Sequence, residues 1–251
     1  MSVNVQRQDR ILVITMQRPE KRNAVNRELA VGISTALDTL DDDDDLWVGV
    51  LTGTADVFCA GTDLREGGDA RTERGGEYGL IRRRRRKTLI AAVEGVCFGG
   101  GFEIALACDI IVASDKATFA LTEPRVGLAA GSGGMQRLSR MIPLKKAMGM
   151  LLTGRHVPAQ EGFELGFVTE VVPHAELMSA AKRWANDILA CSPMSVRATK
   201  QVVMRSLDVP ALEVAMHNQH YPAFVAMAKS EDTVEGPRAF AEKRKPNWKG
   251  R

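Results

Sequence analysis

Residues 93–109 read VEGVCFGGGFEIALACD, and the three glycines set between an apolar run and a helical pattern narrow the folds open to this chain. Residues 89–93 are aliphatic enough for a buried strand, whereas Phe102, Ala105, Leu106 and Asp109 repeat at helical spacing. Glycine adopts φ > 0 without steric cost and lets backbone pass close to a ligand. The free N–H groups of a helix start then favour negative charge beside them. Glu103 stands one residue into the helical pattern. A carboxylate beside such donors suits acid–base chemistry on a carbonyl whose oxygen becomes anionic.

Around this segment strand and helix patterns alternate through about the first two-thirds of the chain, which predicts an α/β layer architecture. Ile11–Met16 and residues 47–52 read as strands, and Leu29, Ile33, Leu37 and Leu40 place one face of a helix inward. The five aspartates from Asp41 to Asp45 read as a solvated turn, since adjacent carboxylates repel and do not converge on a metal. Residues 65–79, rich in Gly, Arg and Glu, read as a mobile loop, and a strand is expected at 110–113. After residue 175 strand signals fade. Helices are expected over 176–190, 194–207 and 211–229, with Pro222 kinking or ending the third. A boundary near residue 190 divides an α/β core (1–190) from a helical region (191–251).

Four motifs follow in order: Arg18-Pro19 with Asn23-Ala24, the turn Phe58-Cys59-Ala60-Gly61-Thr62-Asp63-Leu64, the GGGFE of residues 99–103, and Glu123-Pro124 with Gly127, Gly133 and Gly134. Together they resemble the crotonase superfamily, the enoyl-CoA hydratase/isomerase family, in its RPxxxNA, FxAGxDL and GGGxE elements and its second-glutamate segment. Residues 230–251 resemble the tail of carnitinyl-CoA dehydratase-like members, so the likeness spans essentially the whole chain. The resemblance implies a crotonase-type spiral of ββα repeats whose C-terminal helices pack across subunits, as a homotrimer or dimer of trimers. It also implies reversible addition of water across the 2,3 double bond of an enoyl-CoA thioester. Glu103 and Glu123 are then the catalytic pair. Glu103 mainly activates water for attack at C3, and Glu123 mainly delivers the proton to C2. The N–H groups of Thr62 and Gly100 form the oxyanion hole. Lys21, Arg22, Asp63, Leu64 and Arg65 align with contacts to CoA, and Ala60 and Gly131 with the substrate pocket. Phe240 and Trp248 are placed over the adenine from a neighbouring subunit. CoA is the substrate's handle, and neither a cofactor nor a metal is needed.

Each candidate also has a plainer reading. A glutamate in a first helical turn is often only a dipole partner; the glycines and the apolar Phe102, Ile104 and Ala105 around Glu103 favour a half-buried functional group, held ionised by the helix start. Glu123 precedes proline, which pushes it to extended backbone at a turn or strand end. Thr62 replaces the commoner alanine of the motif, a change expected to matter little because the donor is main chain. The five arginines from Arg82 to Arg86, followed by Lys87, read first as a solvated helix face, next as contacts to CoA phosphates, and last as an RNA site lacking the aromatic platform such sites use. Ser132 sits in a loosened nucleophile-elbow pattern with no histidine placed to activate it. His217 and His220, spaced i, i+3, read as surface residues, and His156 and His174 flank loops. Residues 65–80 and 128–136 are expected to line the acyl pocket.

Composition bounds the remaining classes. With 251 residues, 45% hydrophobic and 26% charged, the chain can bury a core, and its net charge of +3 does not mark a nucleic-acid protein. Its cysteines (Cys59, Cys97, Cys108 and Cys191) form no CxxC pair, so free thiols in a reducing compartment are expected. With no membrane-length apolar stretch and no signal-peptide core in residues 1–10, a cytoplasmic protein is expected. Two alternatives stay open: Δ3-Δ2 enoyl-CoA isomerisation, which needs one glutamate and no water, and a non-catalytic crotonase scaffold that binds RNA.

Overall fold

A computed structural model describes residues 2–54, 56–66 and 70–251. The chain opens with an antiparallel pair, β1 (Val3–Gln8) and β2 (Ile11–Met16). Helix α1 (Arg27–Asp42) follows; its start is capped by Asn26, whose side chain accepts from the Leu29 N–H, and Leu29, Ile33, Leu37 and Leu40 are fully buried along one stripe. Then come β3 (Val48–Thr52), β4 (Val57–Cys59) and two short strands, β5 (Arg71–Thr72) and β6 (Gly76–Glu77). The sequence continues through β7 (Thr88–Val93), β8 (Val96–Phe98), α2 (Gly100–Leu106), β9 (Ile110–Ser114) and β10 (Thr118–Ala120). Next are α3 (Gly134–Met141), α4 (Leu144–Thr153), β11 (Val157–Pro158), α5 (Ala159–Leu165) and β12 (Glu170–Val172).

Among the described residues, six strands form one sheet in the order β1-β2-β3-β7-β9-β12, and four form a second in the order β11-β10-β8-β4. From β2 onward the first sheet is parallel, and β4, β8 and β10 run parallel in the second. Each repeat thus sends one strand to the first sheet and the next to the second, which is the expected spiral. The central strands read as continuous apolar runs because both faces are covered. Leu89, Ala91 and Val93 enter the core shared with α1 and α2, while Ile90 and Ala92 face a second cluster closed by Ala180, Ala181 and Ala185 of α6 (Leu177–Leu189). Strands give way to helices after α6: α7 (Pro193–Ser206), α8 (Leu212–Ala215), α9 (Pro222–Ala228) and α10 (Glu231–Ala241). The helix expected over 211–229 is broken, and Pro222 opens its last piece at the helix start, where a missing N–H costs nothing.

Three expectations need correction. The arginine run is not helical and not a solvated face. Residues 83–85 carry no regular structure, and alternate side chains turn inward, as in an extended segment. Arg83 is buried against Asp41 (2.9 Å) and Asp38, Arg85 donates to the Ala107 carbonyl at the end of α2, and Arg86 donates to the Asp41 carbonyl at 2.8 Å. Buried Lys87 donates to the Leu40 and Asp43 carbonyls at 2.8 and 2.6 Å, capping the C-terminus of α1. Burial lowers the Lys87 ammonium pKa to about 8. Nor is the aspartate run simply a solvated turn. Asp41 and Asp42 end α1, Asp41 is buried, and Asp42 and Asp43 pair with Arg74 and Arg7. Finally, residues 70–79 are not an unstructured loop: β5 and β6 pair as a hairpin that leads to buried Tyr78. Residues 67–69 of that stretch lie outside the described residues.

Candidate active site

The first two motifs lock onto each other. Asn23 accepts from the Arg18 N–H at 2.8 Å and donates its amide to the Val57 and Phe58 carbonyls, both at 3.1 Å. The Arg18 guanidinium, itself buried, reaches Asp63 at 3.2 Å and Glu66 at 3.0 Å. Backbone bonds from Val25 N–H to Gly61 O and from Asp63 N–H to Val25 O fix the turn on either side of Thr62. The Thr62 N–H is left with no acceptor among the described residues. Gly61 has φ +102°, and a methyl on it would stand 3.0 Å from the Phe98 carbonyl and 3.2 Å from the Gly100 nitrogen. A methyl on Gly101 would lie 2.2 Å from the Cys59 carbonyl. The 59–62 turn and the start of α2 therefore touch backbone to backbone. Gly100 is the first residue of α2, and its N–H also lacks an acceptor among the described residues.

Glu103 sits at the fourth position of α2, because the helix begins inside the glycine run. Its side chain is almost fully buried, and one carboxylate oxygen accepts from the Gly134 N–H at 2.9 Å. Burial pushes its pKa up to about 7, and the nearby negative charge of Glu123 adds to the rise. The Gly134 and Ser132 N–H groups and the Arg137 guanidinium pull it down only in part. The helix start thus does not keep this acid in the ordinary carboxylate range, as expected from sequence; desolvation outweighs it. Glu123 opens a short 3-10 turn (Glu123–Val126) rather than a strand end, and burial raises its pKa too. Its Oε1 lies where a methyl on Gly99 would be 3.2 Å away, and its buried Oε2 has no hydrogen-bond partner among the described residues. Two backbone N–H groups without an acceptor, Thr62 of the 59–62 turn and Gly100 of α2, and two buried acids, Glu103 of α2 and Glu123 of the 3-10 turn, are thus supplied by three segments around the glycine run.

Residues 6–251 match the family model described as enoyl-CoA hydratase/isomerase. The chain belongs to that family. Carnitinyl-CoA dehydratase of Escherichia coli (strain K12) is 38% identical, over 100% of this chain and 99% of its own length. An enoyl-CoA hydratase crystal structure from Mycobacterium tuberculosis H37Rv superposes with a TM-score of 0.95 at 40% identity, covering 100% of this chain and 99% of that one. One from Bacillus anthracis does so at 0.91 and 30% identity, with full coverage of both chains. Against this enoyl-CoA hydratase/isomerase background the other candidates divide. Lys21 and Arg22 are exposed, and Arg22 helps line an open cleft of about 490 Å³ with Pro19, Thr54, Asp56, Val57 and Val96. Asp63 is turned to Arg18, while Leu64 and Arg65 are exposed, Ala60 is half-buried and Gly131 is exposed beside Ser132. Phe240 is exposed, and the Trp248 indole N–H donates to the Ala190 carbonyl at 2.9 Å, so the fold does not gather these two with the acids. His217 and His220 stack edge to face, and His174 pairs with Glu94.

Sequence reasoning placed Tyr78 only within the 65–80 stretch expected to line the acyl pocket and did not single it out. Its hydroxyl is 2.8 Å from the Thr62 Oγ1, so the Thr62 side chain has a partner that the motif alone does not announce. A further signal in the sequence was the glycine pair at 75–76 and Gly79 around it, which mark a backbone bent away from ordinary strand or helix.

The electrostatic coupling gives a testable titration. Glu103 keeps its proton up to about pH 7 when folded, against an ordinary value of 4.5 when unfolded. Its contribution to stability is therefore fully present below the unfolded value and is lost as pH rises through the folded one. Glu103→Gln should remove that loss, gaining on the order of 2–3 kcal/mol over the wild type between about pH 5 and pH 8. Glu123→Gln should move the Glu103 titration downward, read by carboxyl ¹³C NMR. An unmoved Glu103 titration would mean that the two acids do not share a field.

Proposed function

We propose that this chain catalyses the reversible syn addition of water to a 2-enoyl-CoA thioester, giving a 3-hydroxyacyl-CoA, or the dehydration in reverse. The observation that carries the reading is a pair of buried acids with raised pKa values, Glu103 and Glu123, the latter with an unpartnered oxygen, beside two free backbone N–H groups. The thioester oxygen accepts from the Thr62 and Gly100 N–H groups, which stabilise the enolate-like charge that develops there. Ionised Glu103 takes a proton from water as its oxygen bonds C3, and protonated Glu123 gives a proton to C2. The two acids titrate as a pair, so their roles exchange with the direction of reaction. The proton gained by Glu103 passes back to Glu123 through the next bound water, so each turnover consumes only substrate and water, and CoA serves as the handle. Lys21 and Arg22 beside the open cleft supply positive charge for its phosphates, with Asp63, Leu64 and Arg65 following in the next turn and Ala60 and Gly131 flanking the acyl group.

The same reading takes residues 1–190 as the catalytic core and residues 191–251 as an oligomerisation region building a trimer or a dimer of trimers. It is supported by large apolar side chains left exposed on the C-terminal helices, among them Val203, Leu207, Leu212, Met216 and Phe240. Such a set is covered in an oligomer more often than it is left to water. Phe240 and Trp248 would reach a neighbour's CoA from there. Sedimentation at micromolar concentration should give a trimer or hexamer; a clean monomer would remove this part of the reading. The free, buried thiols of Cys59, Cys97 and Cys108 fit a reducing, cytoplasmic setting.

The activity is tested by a turnover screen over 2-enoyl-CoAs of graded length, branching and charge, including the carnitinyl-type acyl group for which the Escherichia coli relative is named. Water uptake by at least one member, with no more than trace isomerisation of 3-enoyl-CoA, is the expected result. The RNA-scaffold alternative loses its main support, since Arg83, Arg85, Arg86 and Lys87 are committed to partners within the fold.

A further inference from the structure

The hydrogen bond that Glu103 accepts comes from a turn that an arginine holds in place. The turn is residues 132–134, at the start of α3, and its Gly134 N–H donates to Glu103 at 2.9 Å. Arg137 lies one helical turn further on, and its guanidinium folds back over that start. It donates to the Ile81 carbonyl at 2.8 Å and reaches the Ser132 carbonyl at 3.5 Å. The seating is close. A methyl on Gly133 would stand 2.1 Å from the Arg137 Nη1, and one on Gly134 would stand 3.1 Å from the Glu103 Oε1. Cation and carboxylate therefore lie against neighbouring residues of one turn. Gly133 has φ +97°, so a bare Cα faces the guanidinium at a position where a side chain would be strained as well as crowded.

A hydrocarbon side chain would fill that space without desolvating a charge. Taking even part of a guanidinium out of water is costly unless an anion answers it. Both acceptors of Arg137 are neutral carbonyls, and among the described residues it forms no salt bridge. Burial lowers its pKa, the neighbouring cations Arg85 and Arg82 add to that, and Glu103 is the foremost charge opposing it. The groups that face Glu103 divide in the same way. Glu123 disfavours its charge, while the Gly134 and Ser132 N–H groups and Arg137 favour it. The cation is thus best compensated once Glu103 has lost its proton, and that is the form able to take a proton from water. The clamp also has a far end. Ile81 belongs to the turn after β6, its N–H bonded to the Glu77 carbonyl at 3.1 Å. Tyr78 of that turn stands over Gly100, where a methyl would come within 2.6 Å of the ring Cζ. One side chain therefore ties the turn that serves the acid to the turn that covers an oxyanion donor.

We propose that Arg137 is a positioning residue for water activation: it clamps the 132–134 turn to Ile81, aims the Gly134 N–H at Glu103 and sets a positive charge behind that carboxylate. The proposal rests on the acyl-CoA hydratase reading, so the state of Glu103 is measured separately from turnover. Arg137→Met and Arg137→Lys are compared with the wild type and with Arg140→Met. Arg140 is the control, an exposed cation on the same helix that donates to the Gln136 carbonyl at 3.0 Å. Glu103 is followed by carboxyl ¹³C NMR, and hydration of crotonyl-CoA by its pH profile. In Arg137→Met the Glu103 midpoint should rise by about half a pH unit or more, since the lost cation and the loosened N–H both favoured the charged form. The ascending limb of kcat/KM, which reports the acids of the free enzyme, should move up with it. The kcat at its optimum should fall about 10- to 100-fold, the scale of a small misplacement, while KM changes by less than about threefold. Arg137→Lys keeps the charge but not the planar fork, so its midpoint should stay within about 0.3 unit of the wild type while kcat falls part of the way. Arg140→Met should match the wild type in both readouts. A merely structural arginine gives the opposite sign, because a loosened turn admits water and the Glu103 midpoint falls. That result overturns the proposal, as does an unmoved midpoint or a wild-type kcat in Arg137→Met. If Arg137→Met does not fold, Arg137→Lys decides, and a wild-type kcat there overturns the clamp. Failure of the hydratase reading looks different: no enoyl thioester takes up water in any of these proteins, while the Glu103 midpoint still rises in Arg137→Met.

Discussion

Glu103→Gln lowers kcat for hydration of a 2-enoyl-CoA by roughly 10²–10⁴-fold, the usual worth of a positioned acid or base, and Glu123→Gln falls in the same range. That is the expected result because the amide keeps the size of each side chain but cannot exchange a proton with water or carbon. The double variant should be far less impaired than the product of the two factors, since groups acting as a unit are non-additive. Thioester binding should survive in all three proteins, as the oxyanion donors are the untouched backbone N–H groups of Thr62 and Gly100. Stopped assays with crotonyl-CoA and with a 3-enoyl-CoA separate the outcomes. Full hydratase activity in Glu103→Gln would falsify the water-activating role. If only Glu123 matters, and the 3-enoyl thioester turns over without water, the protein is an isomerase.

The second large effect is expected from a single methyl group. Gly101→Ala places a carbon 2.2 Å from the Cys59 carbonyl, which belongs to strand backbone and cannot step aside as a side chain would. Overpacking of this kind costs about 3 kcal/mol or more when the neighbour is rigid. If the variant folds, relief comes by moving α2 away from the 59–62 turn, which parts the Thr62 and Gly100 donors. Losing one such donor costs roughly 10²–10³ in kcat. Denaturant unfolding and crotonyl-CoA turnover should both register the change. Gly149→Ala is the matching control: it lies on exposed α4 with nothing within 4 Å, so alanine should be neutral or slightly stabilising. Wild-type stability and turnover in Gly101→Ala would mean that the contact between the two turns is looser than described.

Periodicity made the local elements legible. The stripe of Leu29, Ile33, Leu37 and Leu40 and the apolar run of β7 declare themselves, because burial on one face or on both is written directly in residue spacing. The spiral was legible only through the motifs, since nothing in local spacing says which strands of a parallel set are neighbours. The two candidate acids, Glu103 and Glu123, were legible for the same reason, yet the state of Glu103 was not. Its position at a helix start pointed to an ionised group, whereas its desolvation by residues distant in sequence decides the matter. Tyr78 was not singled out because its placement depends on three segments meeting: its own hairpin, the Thr62 turn and the start of α2 at Gly100. The basic run misled for a related reason, since a helix was assumed where alternate side chains turn inward.

Asp41 to Asp45 and Arg82 to Lys87 look like two liabilities on paper, and the folded chain sets them against each other. The consequence lies mostly in the denatured ensemble. There, five neighbouring carboxylates crowd one another, and so do six neighbouring cations, with no fixed geometry to interleave them. Folding spaces both runs around the end of α1, where Arg83 pairs with Asp41, Arg86 and Lys87 bind backbone carbonyls, and Asp42 and Asp43 turn to Arg74 and Arg7. Part of the driving force is thus the discomfort of the open chain rather than any attraction visible in the folded one. Added salt, by quieting that discomfort, works against the fold at this spot.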